Sequence, residues 1–212
     1  ADSRSITVSA NGQAEAQPDK AVLRLAVEAT APDATTARTQ VAENISAVRE
    51  ALADVGIDES AIRTTDYRIY RDEHPRPPDG EKPAEPVYRA RHMLTVDVED
   101  VDRIGEVIDA SVDAGATNIY DVQFTLSDDT RQELRNQALT AAMENARGQA
   151  DTLASSADLT VTGVQQVSTV DYQGPVHRYE AAMASGAAGD TTISTGPVSV
   201  SAQVTVTYNA TG

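Results

Sequence analysis

Three histidines, His74, His92 and His177, are the side chains of this 212-residue chain best suited to moving protons near neutral pH. A serine hydrolase would need one of them to meet a serine and a carboxylate beside an oxyanion hole. His74 falls in a proline-rich stretch and His177 in one rich in Gly, Ala and Ser, where no regular element would hold a ring in place. His92 alternates with Ala90 and Leu94, so a hydrogen-bonded core histidine on an apolar strand face is the expectation. The chain has no Gly-x-Ser-x-Gly nucleophile turn. It also lacks Gly-x-x-x-x-Gly-Lys and Gly-x-Gly-x-x-Gly, the glycine loops that cradle phosphates. No catalytic residue and no cofactor-binding residue is assigned.

Acidic residues gather at two places. Asp97, Glu99, Asp100 and Asp102 lie where a strand gives way to a helix, and Asp128 and Asp129 open a second helix. Hard cations favour carboxylates, but a calcium loop needs alternating ligands, a central Gly and a distal Glu, which are missing here. Capping and the helix macrodipole account for acids at these positions. Cysteine is absent, which removes disulfides, thiolate metal sites and a cysteine nucleophile. No metal ligand is assigned. Asn44-Ile45-Ser46 and Asn209-Ala210-Thr211 match the glycosylation sequon, the second being the better placed because Asn44 falls inside a helix.

The elements that must position these groups follow from periodicity. Ile6, Val8 and Ala10 alternate as in a half-buried strand, with Asn11-Gly12 as a turn signal after them. Leu23, Leu25, Val27 and Ala29 give a second strand, ended by Pro32-Asp33, where Asp33 offers an N-cap. Ala34, Ala37, Val41, Ile45, Val48, Leu52 and Val55 form one stripe of an amphipathic helix closed by Gly56. A strand from Ile62 to Tyr70 puts Thr65, Tyr67 and Ile69 on one face, and the following strand does the same with Tyr88, Ala90, His92, Leu94, Val96 and Val98. A proline-rich flexible loop is expected between them, over 71–86.

Asp100 opens a shorter helix with Val101, Ile104, Ile108 and Val112 inward, and Gly115 ends it. A strand with Ile119, Val122, Phe124 and Leu126 precedes a long helix that starts at Ser127. That helix carries a stripe of Leu134, Ala138, Ala142, Ala146, Ala150, Leu153 and Ala157, and so many alanines predict an unusually close approach to its support. Strands from Val161 to Tyr172 and from Val198 to Tyr208 complete the chain, with a second flexible loop over 173–195. Within that loop, residues 176–188 could serve as a docking segment or be disordered. The fold class is α+β: a largely antiparallel sheet with helices packed on one face, forming a single domain over 1–212. Its middle is a ferredoxin-like β-α-β-β-α-β core, with extra strands and a long third helix added. Ile45, Leu52, Val96, Phe124 and Val204 are expected in the core.

Composition narrows the partners. With 33 acidic against 17 basic residues, the net charge is −16, which repels nucleic acid and anionic lipid. No apolar run reaches the roughly 18 residues of a membrane span. Lys20 and Lys82 are the only lysines. An acid excess with so little lysine reads as adaptation to high salt, an ordinary acidic protein being the alternative. The chain begins at Ala1, so removal of a signal segment is expected.

Read in order, several segments resemble the SIMPL-domain (YggE-like) family over essentially the whole chain. They are Ile6-Thr7-Val8-Ser9-Ala10-Asn11-Gly12 with Pro18-Asp19-Lys20-Ala21, then Gly56-Ile57 with Ile62-Arg63-Thr64. Gly115-Ala116-Thr117-Asn118-Ile119 and Val122-Gln123-Phe124-Thr125-Leu126-Ser127-Asp128 follow, and Gly196-Pro197-Val198 closes the series. Tyr88-Arg89-Ala90-Arg91 departs from the Gly-Tyr that members often carry there. The resemblance implies an exported protein of the periplasm or cell exterior, a loose link to stress tolerance, and no catalytic residue set. The expected function is therefore a non-catalytic extracytoplasmic binding or structural module. Its sheet edges and loops would engage a homo-oligomer or another protein partner. A small-molecule or cation carrier and, less favoured, a hydrolase are the alternatives.

Overall fold

Apolar residues recur at helical spacing in three stretches and alternate in seven, and the backbone follows them. The computed structural model describes residues 4–72, 87–170 and 196–212. In chain order the elements are β1 (Arg4–Ala16), β2 (Lys20–Ala31), α1 (Ala34–Asp54), β3 (Ile62–Asp72) and β4 (Val87–Val98). Then come α2 (Ile104–Asp113), β5 (Asn118–Thr125), α3 (Asp128–Ser156), β6 (Thr160–Val170) and β7 (Val198–Thr211). Every strand pairing is antiparallel, and the fold is α+β. The strands divide between two sheets, ordered β1-β7-β6 and β3-β4-β2-β5, where the sequence suggested one sheet. Arg71 and Asp72 extend β3 into the first expected loop; the rest of that loop and all of 173–195 lie outside the described residues.

Contacts gather into two compact units. In the first, β2, α1, β3, β4, α2 and β5 follow one another along the chain and build the four-stranded sheet with its helices. Asp33 caps α1 by accepting from Thr36 N at 2.9 Å, and Gly56 takes up φ +86° just past the helix end. The inner stripe of α1 (Ala37, Val41, Ile45, Val48, Leu52) packs with Leu23, Leu25 and Val27 of β2 and with Leu94 and Val96 of β4. Ile45, Leu52, Val96 and Phe124 are buried as expected.

Two phases differ from the sequence reading. A bulge between Thr64 and Asp66 flips the alternation of β3. Thr65 therefore meets Thr95 at 3.2 Å on one face, while Tyr67 stands opposite His92 on the other. In α2 the buried set is Ile104, Gly105, Val107, Ile108 and Ser111, and Val112 is 48% exposed. The helix starts three residues later than its first apolar residue, after a 3-10 turn at Val101–Arg103, and that shifts which face turns inward. Ser111 is tolerated inside because its hydroxyl donates to Val107 O at 2.7 Å.

The second unit contains β1, α3, β6 and β7. Asn11-Gly12 does not turn the chain: β1 runs through both residues, paired with β7 from Arg4 to Ala16. Gly12 has a packing reason instead. A Cβ there would lie 2.0 Å from Ala138 O and 2.4 Å from Ala142 N, so the backbone of α3 occupies the space of a side chain. The alanine stripe permits this approach, and it continues to Ala154 at four-residue spacing. Leu153, placed inward by the sequence reading, is 51% exposed, and Ala157 is exposed beyond the helix end. Val8, Ala10, Val204, Val206 and Tyr208 face the stripe, and Arg147 lies 5.7 Å over the Tyr208 ring.

Candidate functional site

The groups with the greatest capacity for proton or cation chemistry are tied into the sheet. His92 is not in the core; it is half-buried opposite Tyr67 near the free edge strand β3. Its Nε2 lies 2.8 Å from the Thr64 hydroxyl, and Tyr67 packs edge-on at 5.3 Å. Burial pushes its pKa below the ordinary value, and the positive charge of Arg49 acts in the same direction. His74 and His177 lie outside the described residues.

The first acidic cluster is divided among structural duties. Asp97 of β4 receives Lys20 Nζ at 2.9 Å and both terminal nitrogens of Arg63, at 2.9 and 3.1 Å. Asp100 accepts from Asp102 N at 3.2 Å at the head of the 3-10 turn. Glu99 is exposed. In the second cluster, the cap of α3 comes from Ser127, which accepts from Thr130 N, while Asp128 and Asp129 occupy the first turn. Among the described residues, no group of three His, Cys, Asp or Glu side chains is placed to hold a metal.

Burial works to raise the pKa of Asp97, but the hydrogen bonds and charges of Arg63 and Lys20 outweigh it and leave it below the usual value. A carboxylate depressed in this way stabilises the fold above its unfolded pKa, near 4, and that contribution is lost as pH falls through the folded value. Asp97→Asn should therefore cost stability at neutral pH, with the gap to the parent closing in acid below about pH 4. Denaturant unfolding at the two pH values measures this; a gap that persists unchanged in acid would mean the charge of Asp97 contributes nothing.

On the face of the four-stranded sheet turned away from the helices, a charged network crosses all four strands. Asp66 accepts from Arg91 at 2.8 Å and from Arg68 at 3.0 Å. Arg91 also reaches Tyr120, and Tyr120 reaches Glu28, at 3.4 Å each. Hydrogen bonds from Arg91 and Arg68 hold the Asp66 carboxyl below its ordinary pKa.

The three-stranded sheet presents the opposite chemistry. Strand register sets Thr7 opposite Thr207, Ser9 opposite Thr205, Asn11 opposite Gln203 and Gln13 opposite Ser201, all turned away from α3. The hydroxyls of the first two pairs meet at 3.0 and 2.9 Å. Gln166 and Ser168 of β6 continue this face beside Thr207 and Thr205. From Ser5 to Gln13 on β1, and from Ser199 to Asn209 on β7, the outward side chains carry no charge. The sequence reading assigned no role to these residues, although alternating Ser, Thr, Asn and Gln in the first and last strands was the signal.

Edges are the remaining feature. β6 ends its sheet, carries no charged residue along its 11 positions, and leaves Val164 50% and Val167 46% exposed. β3, the comparable edge of the other sheet, has exposed Tyr67, Ile69 and Tyr70 but intersperses them with Arg63, Asp66, Arg68 and Arg71.

These features define an α+β protein of two antiparallel sheets in which, among the described residues, His92, Asp66 and Asp97 are each hydrogen-bonded within the fold. The chain belongs to the SIMPL family, whose model, described as "Protein of unknown function (DUF541)", matches residues 6–208. It is 30% identical over 166 residues to the 26 kDa periplasmic immunogenic protein of Brucella melitensis biotype 1, covering 77% of this chain and 65% of that protein. The protein of the same name from Brucella abortus strain S19 matches to the same extent. The uncharacterized protein YggE of Edwardsiella ictaluri is 27% identical over 163 residues, covering 76% of this chain and 66% of that protein. The match thus spans just under two thirds of the length of the first of these relatives. No helix among the described residues is long and apolar enough to cross a membrane.

Proposed function

We propose that this chain is a non-catalytic, extracytoplasmic binding or structural module that self-associates through the open edge of β6 and is adapted to high salt. The observation that carries the self-association is the combination found in β6: an edge position among the described residues, no charge, and two valines about half exposed. Soluble proteins ordinarily guard such an edge with lysine, proline or inward charge, as β3 does with its arginines and aspartates. Unguarded backbone donors and acceptors are completed by adding another strand. The periplasmic names of the Brucella relatives support a place outside the cytoplasm. Engagement of His92 by Thr64 and of Asp97 by Lys20 and Arg63 supports a non-catalytic role. A contribution to stress tolerance belongs to the same reading.

The net charge of −16 supports the salt adaptation, since a compact state that crowds carboxylates benefits from screening. Light scattering and melting curves from about 0.1 M to about 2 M NaCl test both parts, because the Debye length falls to about 3 Å near 1 M. The expected result is an assembly heavier than the 22.4 kDa monomer, persisting at molar salt, with a melting temperature that climbs throughout. Val167→Lys, placed on an exposed edge position, should return the mass to 22.4 kDa without loss of fold. A parent protein that is monomeric at every salt concentration would end the edge-pairing reading. A flat melting temperature would end the salt reading separately.

A further inference from the structure

We infer that two copies of this chain join β6 to β6 about a two-fold axis, antiparallel, with Val164 of each copy against Val167 of the other. This arrangement rests on the edge-pairing reading above and adds to it the partner strand and the residues that meet.

Two bulges in β6 point to it. Residues three apart in a regular strand face opposite sides of the sheet. β6 shifts its register against β7 between Val161 and Gly163, and again between Val164 and Gln166. Val161, Val164 and Val167 thereby stand opposite Ala210, Tyr208 and Val206, which are all buried on the side of α3. Three valines at three-residue spacing are thus turned to one face, the kind of re-aiming that bulges serve. The core of the single molecule makes little use of it. Ala142, Ala146 and Ala150 of α3 pack on Val8 and Ala10 of β1 and on Val204, Val206 and Tyr208 of β7, with Val161 at the margin. Val164 and Val167 stay about half exposed beside them.

Charge selects the partner strand. Molecules that each carry a net charge of −16 repel, so close approach favours a stretch where neither brings a charge. The other edge strands of the two sheets all carry some: Arg4 and Glu15 in β1, Arg63, Asp66, Arg68 and Arg71 in β3, and Asp121 in β5. β6 has none along its 11 positions. Pairing it with itself is an isologous contact, which occupies the β6 edge of both copies at once and closes the assembly at two. An axis normal to the sheet runs the strands antiparallel and keeps both α3 helices on one side, so the valines of the two copies share a face. Centred between Gln165 and Gln166, it sets Val164 beside Val167 twice over and Gly163 beside Ser168 on the outer face. The bulge at Gln165 supplies the phase, since without it the two valines would point to opposite sides.

The chain has no cysteine, so a single introduced one reports only on contact between copies. Gln166→Cys, beside the axis, should give a disulfide-linked dimer under mild oxidation, and Gln13→Cys on the far edge strand β1 should not. Sedimentation equilibrium should find twice the 22.4 kDa monomer and nothing larger. Its dissociation constant should tighten from about 0.1 M to about 2 M NaCl as screening relieves the repulsion. Val164→Thr with Val167→Thr keeps the branched shape and the backbone edge but removes the apolar strip. It should weaken dimerisation about tenfold or more, with the circular dichroism of the monomer unchanged. A dimer that Val167→Lys dissolves but Gln166→Cys does not cross-link would overturn the two-fold seam and leave the β6 edge reading standing. So would a dimer that the double threonine variant leaves equally tight, or an assembly of more than two copies. A protein monomeric at every salt concentration would end both.

Discussion

Gly12→Ala should lower stability by about 3 kcal/mol or more, at the upper end of what overpacking a filled core costs. The added methyl would meet Ala138 O and Ala142 N at 2.0 and 2.4 Å. Both are backbone atoms of a 29-residue helix and cannot rotate aside as a side chain would. The helix must lift, and lifting it loosens Ala142, Ala146 and Ala150 from Val8, Val204 and Val206 together. Gly163→Ala is the matched control, because nothing lies within 4 Å of a Cβ built there. Denaturant unfolding should show a large loss for the first variant and almost none for the second. Hydrogen exchange should locate the loss in α3. Parity between the two would mean that α3 does not cross β1 at Gly12.

Phe124→Ala is expected to cost about 3–5 kcal/mol, the range for emptying a buried aromatic site. Phe124 is the chain's single phenylalanine, 6% exposed, and it packs in the core of the four-stranded unit from edge strand β5. Ala21 stands opposite it in the register and cannot expand to fill the space. Tyr120→Ala, at a position 44% exposed on the same strand, should cost far less. A Phe124 variant that melts within a degree or two of the parent would show that β5 contributes little to that core.

The helices were the most legible part of the fold, because their stripes are long and their stops explicit. Asp33, Gly56, Ser127 and Gly115 act at the ends where they were expected, Gly115 with φ +113°. What could not be read was pairing. Asn11-Gly12 has the composition of a hairpin turn, and only a helix more than 120 residues later explains the glycine. The bulge in β3 reverses a face without changing local composition, and the late start of α2 exchanges Val112 for Ser111 by one step of phase. Division of the strands between two sheets is a long-range choice that alternation leaves open. The same holds for the uncharged face. Its serines, threonines and amides alternate visibly in both terminal strands, but only the β1–β7 register sets Thr7 beside Thr207 and Ser9 beside Thr205.

The order β1-β7-β6 also has a consequence in time. β7 is the middle strand of its sheet, yet it is the last of the strands in the chain, so β1 and β6 have no common partner until residues 198–211 emerge. The other sheet draws all its strands from 20–125 and can close while synthesis or transport is still under way. Early in its life the polypeptide would therefore carry one finished half and one waiting half, with α3 and its alanine stripe lacking the surface they are shaped to meet. Contacts between β1 and β7 span about 200 positions, the kind of closure that forms slowly. A helper that shields β1 during that interval would raise the yield of native protein without touching its final stability.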